Sequence, residues 1–495
     1  MRLVLTGHAY KYAVEQILLV MFPSELPEYG DGGGENGSAE VSLRLGGVYA
    51  VAVSSVTFGG KTARASARVS RKRLTDKLQS DRLLQKTIKL SFYKAAVEVT
   101  GTKPEWGSLT GIRPAVIAAK AFTQGKRFEA VVKTLEKEYF VSPRRAVLAV
   151  EAARFSIAVK DTLAPREVAL YVGIPFCPTR CAYCSFVSHS VEKSMKLIGP
   201  FLEALFREID AAAETAKRLN LSVNSVYIGG GTPTTLSAAE LSSLLERLET
   251  AFDLSRLREY TVEAGRADTI TKEKLEAIKK YGVTRVSVNP QSMSDTVLAA
   301  IGRQHSAEDV LAAVDLVRRA GFEALNMDLI AGLPQDTYSG FSGSLDRVLA
   351  LDPENITVHT LALKKGSRIT LGGTKIPSGA EVAKMLDYAE KTLRGSGYVP
   401  YYLYRQKFTS GGFENIGWAK KGHEGHYNTC MMEELCSVLA VGGGGVTKLV
   451  SSASGRIERI FNPKYPYEYV SRIDDIIENK CKTEAFYAAG GNYGV

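Results

Sequence analysis

The chain has few cysteines and no long hydrophobic segment. Six cysteines in 495 residues are too few for the disulfide framework that stabilises small secreted proteins. The apolar stretch Val14 to Phe22 is interrupted by Glu15, whereas a membrane-spanning helix needs about 20 apolar residues. No small-residue cleavage site of the kind that ends a secretion signal follows it. We therefore expect a cytoplasmic protein without a membrane span.

Positive charge is concentrated in one block. The chain has a net charge of +10, yet Lys61 to Lys160 alone contains 22 Lys and Arg against 8 Asp and Glu. No aromatic residue lies near its densest run, Arg71 to Arg73, so base stacking is not indicated and nucleic acid is not expected as a partner. Two interpretations remain open, namely solvated helix faces or attraction of an acidic substrate or partner.

Three of the cysteines form the most specific motif. Cys177, Cys181 and Cys184 have the spacing C-x3-C-x2-C, without a fourth cysteine or histidine at zinc spacing. A [4Fe–4S] cluster normally takes four thiolates, so three would leave one iron open to a ligand that is not a protein side chain. The alternatives are a zinc knuckle and three unrelated buried thiols.

From Glu167 the pattern alternates short apolar runs with helical stretches, which predicts parallel strands and crossover helices. The predicted strands are 168–174, 223–229, 260–264, 285–289, 324–330 and 356–361. The predicted helices between them are 202–219, 238–252, 272–281, 307–320 and 339–351. A doubly wound sheet would also satisfy this order, but the residues at the strand ends favour a barrel.

Each predicted strand ends in glycine, polar or charged residues. Gly229 to Gly231 follow the second strand, Glu263 ends the third, Asp328 lies near the end of the fifth, and His359 lies near the end of the sixth. Because the carboxyl ends of barrel strands converge on one face, these residues are expected to form a site there.

The regions on either side of the barrel are predicted to be separate domains. We expect an N-terminal α+β domain over 1–160, with strands at 41–53 and 57–69 and helices at 76–99 and 114–158, a core over 161–375, and a C-terminal covering domain over 376–495. Within the last of these, Tyr398 to Tyr404 is predicted to be a strand that covers the barrel. Its remaining cysteines, Cys430, Cys436 and Cys481, are interpreted as buried thiols.

The motifs resemble those of the radical SAM enzymes, and in particular the oxygen-independent coproporphyrinogen III oxidase (dehydrogenase) family. The resemblance covers about 167–363 and is carried by Tyr171 to Cys177, Gly229 to Thr234, Val286 to Gln291 and Asn326 to Pro334. Asn415 to Trp418 is similar to a stretch in the Bacillus and Clostridium subgroup, which has an extra N-terminal domain. The resemblance implies an α/β fold with a partial (β/α)6 TIM-type radical SAM barrel.

The resemblance also implies a set of ligands. Cys177, Cys181 and Cys184 match the ligands of one [4Fe–4S] cluster. The positions that match contacts to one or two S-adenosylmethionine (SAM) molecules are Tyr171, Tyr183, Gly230, Gly231, Thr232, Glu263, Gln291, Arg303, Asp328 and Ala362. The implied activity is oxidative decarboxylation of two propionates of coproporphyrinogen III to vinyl groups. The implied partners are a porphyrinogen or haem-type tetrapyrrole and an electron donor such as flavodoxin or ferredoxin.

The sequence departs from the family pattern at several positions. The best-known decarboxylating members have a histidine at the position of Gly173 and a further cysteine at that of Phe186. The related haem chaperones have a haem-binding histidine where this chain has Glu414, while His423 and His426 are interpreted as solvated loop residues. Two alternatives therefore remain, a haem chaperone on the same scaffold and a radical SAM methyltransferase or ring-opening enzyme acting on haem.

Overall fold

The structure is a computed structural model that describes residues 1–29, 37–111, 113–184, 189–190, 195–363, 369, 375–451 and 454–490. The chain folds into two compact units. We call residues 1–150 with 405–413 the N-terminal unit, and residues 151–404 with 414–495 the barrel unit. Among the described residues, none of the helices has both the length and the apolar composition needed to cross a membrane.

The N-terminal unit is built on a four-stranded sheet in the order β1-β2-β3-β4. Strands β1 and β2 are parallel and the other pairs are antiparallel. The strands are β1 (Arg2–Thr6), β2 (Gly37–Leu45), β3 (Tyr49–Phe58) and β4 (Lys61–Ser70). The helices are α1 (Lys11–Met21), α2 (Lys77–Thr100), α3 (Pro114–Thr123), α4 (Phe128–Tyr139) and α5 (Pro143–Thr162), which continues into the barrel unit. The sheet and the first two helices share one apolar core, to which Ile17, Val41 and Phe92 contribute.

Three predictions for this region were wrong in detail. The stretch 57–69 was predicted to be one strand, but the chain turns at Gly59 and Gly60 between β3 and β4. The stretch 41–53 was predicted to be one strand, but the chain turns between β2 and β3 at Gly46 and Gly47. The stretch 114–158 was predicted to be one helical region, but it forms three helices, which are interrupted after Thr123 and again before Pro143. Strand β1 was not predicted.

The barrel unit confirms the predicted order of six parallel β/α units. The six strands are β5 (Glu167–Ile174), β8 (Ser222–Gly230), β9 (Glu259–Glu263), β10 (Arg285–Ser287), β11 (Ala324–Ala331) and β12 (Asn355–Thr360). The helices between them are α6 (Ile198–Arg218), α7 (Ala238–Ala251), α8 (Lys272–Lys280), α9 (Asp295–Ala300), α10 (Ala307–Arg319) and α11 (Tyr338–Ala350). Seven of the eight residues of β5 are buried, as expected for a strand with both faces covered. Two short strands, β6 (Phe176–Cys177) and β7 (His189–Ser190), pair beside the sheet.

Later strands extend the same sheet on both sides. The full order is β13-β14-β12-β11-β10-β9-β8-β5-β15-β16-β17. The added strands are β13 (Val399–Arg405), β14 (Glu414–Ala419), β15 (Ser437–Gly442), β16 (Val446–Val450) and β17 (Ile457–Phe461). The added helices are α12 (Gly379–Gly395), α13 (His426–Glu433), α14 (Pro466–Ser471), α15 (Ile473–Glu478) and α16 (Cys481–Ala488). The division into three domains with boundaries after 160 and 375 stays a prediction.

A buried carboxylate connects helix α6 to the end of β15. Glu208 accepts hydrogen bonds from Lys480 Nζ at 2.6 Å, Asn462 Nδ2 at 2.9 Å and the Gly442 amide at 2.7 Å. The Tyr469 hydroxyl donates a fourth. Since a buried charge is tolerated only when it is paired and hydrogen-bonded, this network fixes the loop after Gly442 beside strand β5.

Candidate functional site

The carboxyl ends of the parallel strands carry the acidic and imidazole groups that the sequence singled out. Glu263 is the last residue of β9. Asp328 and His359 lie in the second halves of the adjacent strands β11 and β12. The predicted convergence of polar groups at this edge of the sheet is therefore present.

These strands enclose a cavity of about 430 Å³. Four of the predicted site residues line it, namely Tyr171, Gly230, Glu263 and Asp328. Four tyrosines that were not predicted as site residues also line it, namely Tyr227, Tyr402, Tyr404 and Tyr427. Among the described residues, the lining includes two carboxylates and His359 but no lysine or arginine. The cavity therefore favours cationic or hydroxyl-bearing groups over anions.

Three of the tyrosines form a stack on one wall. The rings of Tyr227 and Tyr427 lie 4.5 Å apart at an angle of 19°, and Tyr171 lies 6.4 Å from each of them. Burial raises the pKa of Tyr227 and of Tyr427 well above the ordinary tyrosine value. Both hydroxyls are therefore neutral near pH 7 and are available as hydrogen-bond donors.

Glu263 has an unusually high pKa. Burial is the main cause, and the nearby Asp328 adds to it, so that the pKa of Glu263 rises from 4.5 to about 7. The Tyr227 hydroxyl donates a hydrogen bond to the Glu263 carboxylate, which opposes the shift. A Cβ atom at Gly229 would lie 2.9 Å from Glu263 Oε2, so the glycine leaves room for this carboxylate.

Asp328 is held between neighbours on β11 and β12. Asn326 Nδ2 donates to Asp328 Oδ1 at 2.8 Å, and His359 Nε2 lies 3.6 Å from Asp328 Oδ2. The other ring nitrogen of His359, Nδ1, lies 3.5 Å from the Tyr404 hydroxyl. These contacts orient one carboxylate and one imidazole toward the same cavity.

The glycine-rich end of β8 holds the start of the cysteine loop. The Gly231 amide donates to the Ile174 carbonyl at 2.7 Å, and the Thr232 amide donates to the Phe176 carbonyl at 2.7 Å. The Thr232 hydroxyl then lies 3.4 Å from the Cys177 thiol. A Cβ atom at Gly231 would lie 2.4 Å from the Phe176 carbonyl oxygen, so this glycine is required by backbone packing.

The rest of the cysteine loop is fixed by Arg303 and Tyr183. Arg303 Nη2 donates to the Tyr183 hydroxyl at 3.0 Å, and Nη1 donates to the Gly265 carbonyl at 3.0 Å. Burial raises the pKa of Tyr183, although the guanidinium of Arg303 opposes the shift. Tyr183 lies between Cys181, which is buried, and Cys184, which is partly exposed. Phe186 lies outside the described residues.

The three cysteines do not form a site for a single metal ion. Within the part of the chain that the structure describes, no three His, Cys, Asp or Glu side chains converge closely enough to hold one ion. A cubane cluster requires a wider arrangement, because each cysteine binds a different iron atom.

Gln291 lies beside Asp328 through backbone hydrogen bonds. Its amide donates to the Asp328 carbonyl at 2.9 Å, and its carbonyl accepts from the Ile330 amide at 3.0 Å. Its φ of +68° is a left-handed value that a side-chain-bearing residue seldom adopts. Gln291 Oε1 and Arg303 Nε are buried and have no hydrogen-bond partner among the described residues. Buried polar atoms are seldom left unsatisfied, so both atoms have hydrogen-bonding capacity that a bound group could use.

The structure brings the predicted site residues together in two groups. Tyr171, Gly230, Glu263 and Asp328 line the cavity, and Gln291 is bonded to Asp328. Cys177, Cys181, Cys184, Tyr183, Gly231, Thr232 and Arg303 belong to the cysteine loop and its supports. Ala362 follows β12 and is partly exposed, and none of the described contacts connects it to either group.

Some expectations about the remaining histidines and cysteines were wrong. Cys481 was interpreted as a buried thiol but is exposed, whereas Cys430 and Cys436 are buried as expected. His426 was expected on a solvated loop, but it is partly buried at the start of α13. Burial lowers the pKa of His426 below the ordinary histidine value.

Comparison with known proteins identifies the family. Residues 171–348 match the radical SAM superfamily. The chain is 39% identical over 388 residues to the oxygen-independent coproporphyrinogen-III oxidase-like protein HemZ of Bacillus subtilis, covering 77% of each chain. The chain belongs to this family of radical SAM proteins. Membership implies a [4Fe–4S] cluster and SAM.

Other relatives place two kinds of protein near this family. The chain is 31% identical over 337 residues to the haem chaperone HemW of Bacillus subtilis, covering 66% of this chain and 84% of HemW. Among solved structures, coproporphyrinogen III oxidase HemN of Escherichia coli aligns with a TM-score of 0.51 and 23% identity, covering 66% of this chain and 73% of that one. The structural likeness supports the radical SAM fold.

The residues present fit the two groups that the family implies. Three thiols on one short loop suit a cluster that has one iron open to another ligand. The unpartnered Gln291 Oε1 and Arg303 Nε leave hydrogen-bonding capacity next to the strand ends. SAM carries an ammonium and two ribose hydroxyls, and the adjacent cavity offers the carboxylates of Glu263 and Asp328 as hydrogen-bond acceptors for these groups.

Proposed function

We propose that the chain is a radical SAM enzyme that converts two propionates of coproporphyrinogen III to vinyl groups. The observation that carries the proposal is the placement of the cysteine loop and of the acidic, tyrosine-lined cavity on the ends of the same parallel strands. The names of two similar proteins, HemZ and HemN, support the choice of substrate. Each conversion removes carbon dioxide, one hydrogen atom and one electron from a propionate carboxylate. The hydrogen atom goes to the adenosyl group of cleaved SAM, and the electron goes to an external one-electron acceptor.

Cys177, Cys181 and Cys184 would hold the cluster, and the cavity residues would hold SAM. When bound, the cluster and SAM supply the one-electron chemistry that removes a hydrogen atom from the substrate. Arg303 fixes the loop through Tyr183 and the Gly265 carbonyl.

Glu263 and Asp328 accept hydrogen bonds from hydroxyl and ammonium groups in the cavity. Because burial raises its pKa from 4.5 to about 7, Glu263 can hold a proton on its carboxyl group near neutral pH. His359 Nε2 lies 3.6 Å from Asp328 Oδ2, which is within ion-pairing distance. The three stacked tyrosines line one wall of this cavity and would limit the access of water there, which would protect a reactive intermediate from unwanted reactions.

The position of Gly173 separates this chain from the best-known decarboxylating enzymes, which have a histidine there. A Cβ atom at Gly173 would lie 2.6 Å from the Gly443 carbonyl oxygen. A histidine would therefore require the loop after β15 to move. His359 is the histidine that the described cavity offers in its place.

A haem chaperone is the second candidate, because the chain is similar to HemW. The segment that carries a haem-binding histidine in the chaperones is here part of β14. Glu414 and Asn415 are buried, the Glu414 carbonyl accepts from the Thr360 hydroxyl at 2.7 Å, and Asn415 Oδ1 accepts from the Thr360 amide at 2.9 Å. A buried strand that lacks the histidine does not favour haem ligation at this segment, and the enzyme is preferred.

Anaerobic turnover tests the proposal. The reconstituted protein is incubated with SAM, a reductant and coproporphyrinogen III, and the products are analysed by mass spectrometry. We expect a product that has lost two carbon dioxide molecules and four hydrogens, with one SAM consumed for each vinyl group formed. Cys184→Ala serves as the inactive control. Tight stoichiometric haem binding without this product would instead identify a chaperone.

Methylated or ring-opened haem as the product would identify the third alternative, an enzyme that acts on haem itself. Repeating the reaction with flavodoxin or ferredoxin as reductant tests the expected electron donor. The cytoplasmic location also stays a prediction, which fractionation of cells that produce the protein would test.

A further inference from the structure

The N-terminal unit contains a second and larger cavity, of about 740 Å³. Its walls come from α2, α3, α4 and the segments that join them. Six cationic side chains line it, namely Arg73, Arg82, Lys86, Lys89, Lys120 and Lys126, against two acidic ones, Asp76 and Glu138. This volume lies in the range of about 300–1,000 Å³ typical of small-molecule sites.

Both acidic groups are already engaged. Glu138 pairs with Lys86 at 2.6 Å, and Asp76 caps α2 by accepting a hydrogen bond from the Gln79 amide at 2.8 Å. Among the described residues, five of the six cations have no ion-pair partner, and four of these five are Arg73, Arg82, Lys120 and Lys126. All four are exposed, so a bound anion would meet several unneutralised positive charges.

Lys89 adds a partly buried cation to the cavity wall. Its Nζ donates to the Thr110 hydroxyl at 2.7 Å. Burial, together with the nearby Lys407, lowers the pKa of Lys89 to about 8. A negatively charged ligand beside Lys89 would offset this cost of holding an ammonium group out of water.

The cavity is not uniformly polar. Leu83, Leu109, Ile117 and Ala121 line it together with the cations, and Leu109 and Ala121 are buried. The cations lie on separate elements, with Arg82 on α2, Lys120 on α3 and Lys126 in the turn that follows. Dispersed cations and apolar side chains suit a ligand with an apolar body and acidic groups around its edge. A nucleotide concentrates its charge in one phosphate chain and matches this pattern less well.

We propose that this cavity binds a tetrapyrrole through its carboxylates. The choice of tetrapyrrole among polycarboxylates rests on the proposed function. The barrel cavity, whose described lining contains no lysine or arginine, provides no counter-charge for propionates. The basic cavity therefore supplies a type of recognition that the catalytic cavity lacks.

Binding of coproporphyrin III to the full-length protein tests this proposal without any need for turnover. This oxidised form is fluorescent and cannot undergo the proposed reaction, so its affinity can be measured by fluorescence titration. In the test variant, Arg73, Arg82, Lys120 and Lys126 are all replaced by Glu. We expect roughly a hundredfold weaker binding, because four attractions become repulsions. Replacing only Lys120 and Lys126 by Ala should weaken binding by a smaller factor.

A matched control reverses four charges of the same unit that lie outside the cavity. Lys61, Arg64, Lys103 and Lys133 are exposed and do not line it, so their replacement by Glu should change affinity less than about threefold, through long-range charge alone. Equal losses in the two quadruple variants would show unspecific attraction and overturn the proposal. Unchanged affinity in the test variant would also overturn it, as would tighter cavity-dependent binding of ATP or of a single-stranded RNA oligomer.

Turnover of coproporphyrinogen III is measured separately on the same proteins. Porphyrin binding that depends on the cavity, without decarboxylation, would support this site and reject the proposed activity. Decarboxylation together with porphyrin binding that does not depend on the cavity would support the proposed activity and reject this site.

Discussion

The Tyr227 hydroxyl donates a hydrogen bond to the Glu263 carboxylate across the neighbouring strands β8 and β9. This contact stabilises the charged form of a carboxylate whose pKa burial has raised to about 7. Burial and the hydrogen bond from Tyr227 therefore determine together how much negative charge Glu263 carries at neutral pH.

Glu263 should make the barrel unit less stable as the pH rises. The pKa of Glu263 is higher in the folded state than the ordinary 4.5. Its contribution to the free energy of unfolding is therefore fully present below about pH 4.5 and is lost as the pH rises through about 7. The rise from 4.5 to about 7 corresponds to about 3 kcal/mol. Glu263→Gln should remove this pH-dependent part of the stability, as measured by thermal unfolding across the pH range. Identical pH profiles for the two proteins would contradict the assignment.

Replacing Tyr227 by Phe should raise the pH at which the Glu263 carboxyl group loses its proton. The substitution removes the hydrogen bond that stabilises the Glu263 carboxylate, so the pKa of Glu263 should rise further above 7. Titration of the ¹³C-labelled carboxyl group by NMR measures this pKa directly. Tyr404→Phe is the control, because its hydroxyl lies 3.5 Å from His359 Nδ1 on strand β12. A lower pKa in Tyr227→Phe would show that the hydroxyl does not stabilise the charged form.

The three cysteines should be required for iron binding. After anaerobic reconstitution we expect about four iron atoms per chain, and Cys177→Ala, Cys181→Ala and Cys184→Ala should each lose most of this iron. Cys481→Ser is the control, because Cys481 is exposed and lies in α16. Iron content is measured together with the absorbance of the cluster. Full iron retention in Cys177→Ala would exclude this residue as a ligand.

Glu263→Ala and Asp328→Asn should weaken SAM binding without reducing the iron content. Each removes a carboxylate from the cavity, and loss of a charge-assisted hydrogen bond typically costs about 1.5–3 kcal/mol, roughly ten- to a hundredfold in affinity. Asp315→Asn is the matched control, since this carboxylate pairs with Arg319 on the surface of α10. Calorimetric titration with SAM measures the affinities. If Asp328→Asn and Asp315→Asn bind SAM equally well, Asp328 does not contact it.

The alternation of strands and helices in the barrel could be predicted from the sequence, because each strand is a short apolar run that is buried on both faces. Glu263 and Asp328 could be predicted as site residues, because carboxylates at the ends of such strands are seldom explained by core packing. Tyr227 could also have been found, since it lies two residues before Gly229 and so on the same face of its strand.

Other features gave weaker signals. Tyr427 comes from α13, which is far from the strands in sequence, and only the folded chain shows that its ring stacks on Tyr227. In the N-terminal unit, glycine and proline residues stand at the element boundaries that were predicted wrongly. Gly46 and Gly47 mark the turn between β2 and β3, while Gly125 and Pro143 mark helix boundaries.

Gly231→Ala should destabilise the cysteine loop, whereas a glycine substitution elsewhere in the same unit should not. A Cβ atom at Gly231 would lie 2.4 Å from the Phe176 carbonyl oxygen, which is backbone and cannot rotate away. The added methyl group would push the end of β8 away from Phe176 and the adjacent Cys177, so we expect a loss of about 1–3 kcal/mol in the free energy of unfolding and less reconstituted iron. The control is Gly343→Ala in α11, where a Cβ atom meets no other atom within 4 Å. Alanine should stabilise that helix by roughly 0.5–1 kcal/mol, as measured by thermal unfolding. Equal iron content and stability in the two variants would show that the contact between Gly231 and Phe176 does not position the loop.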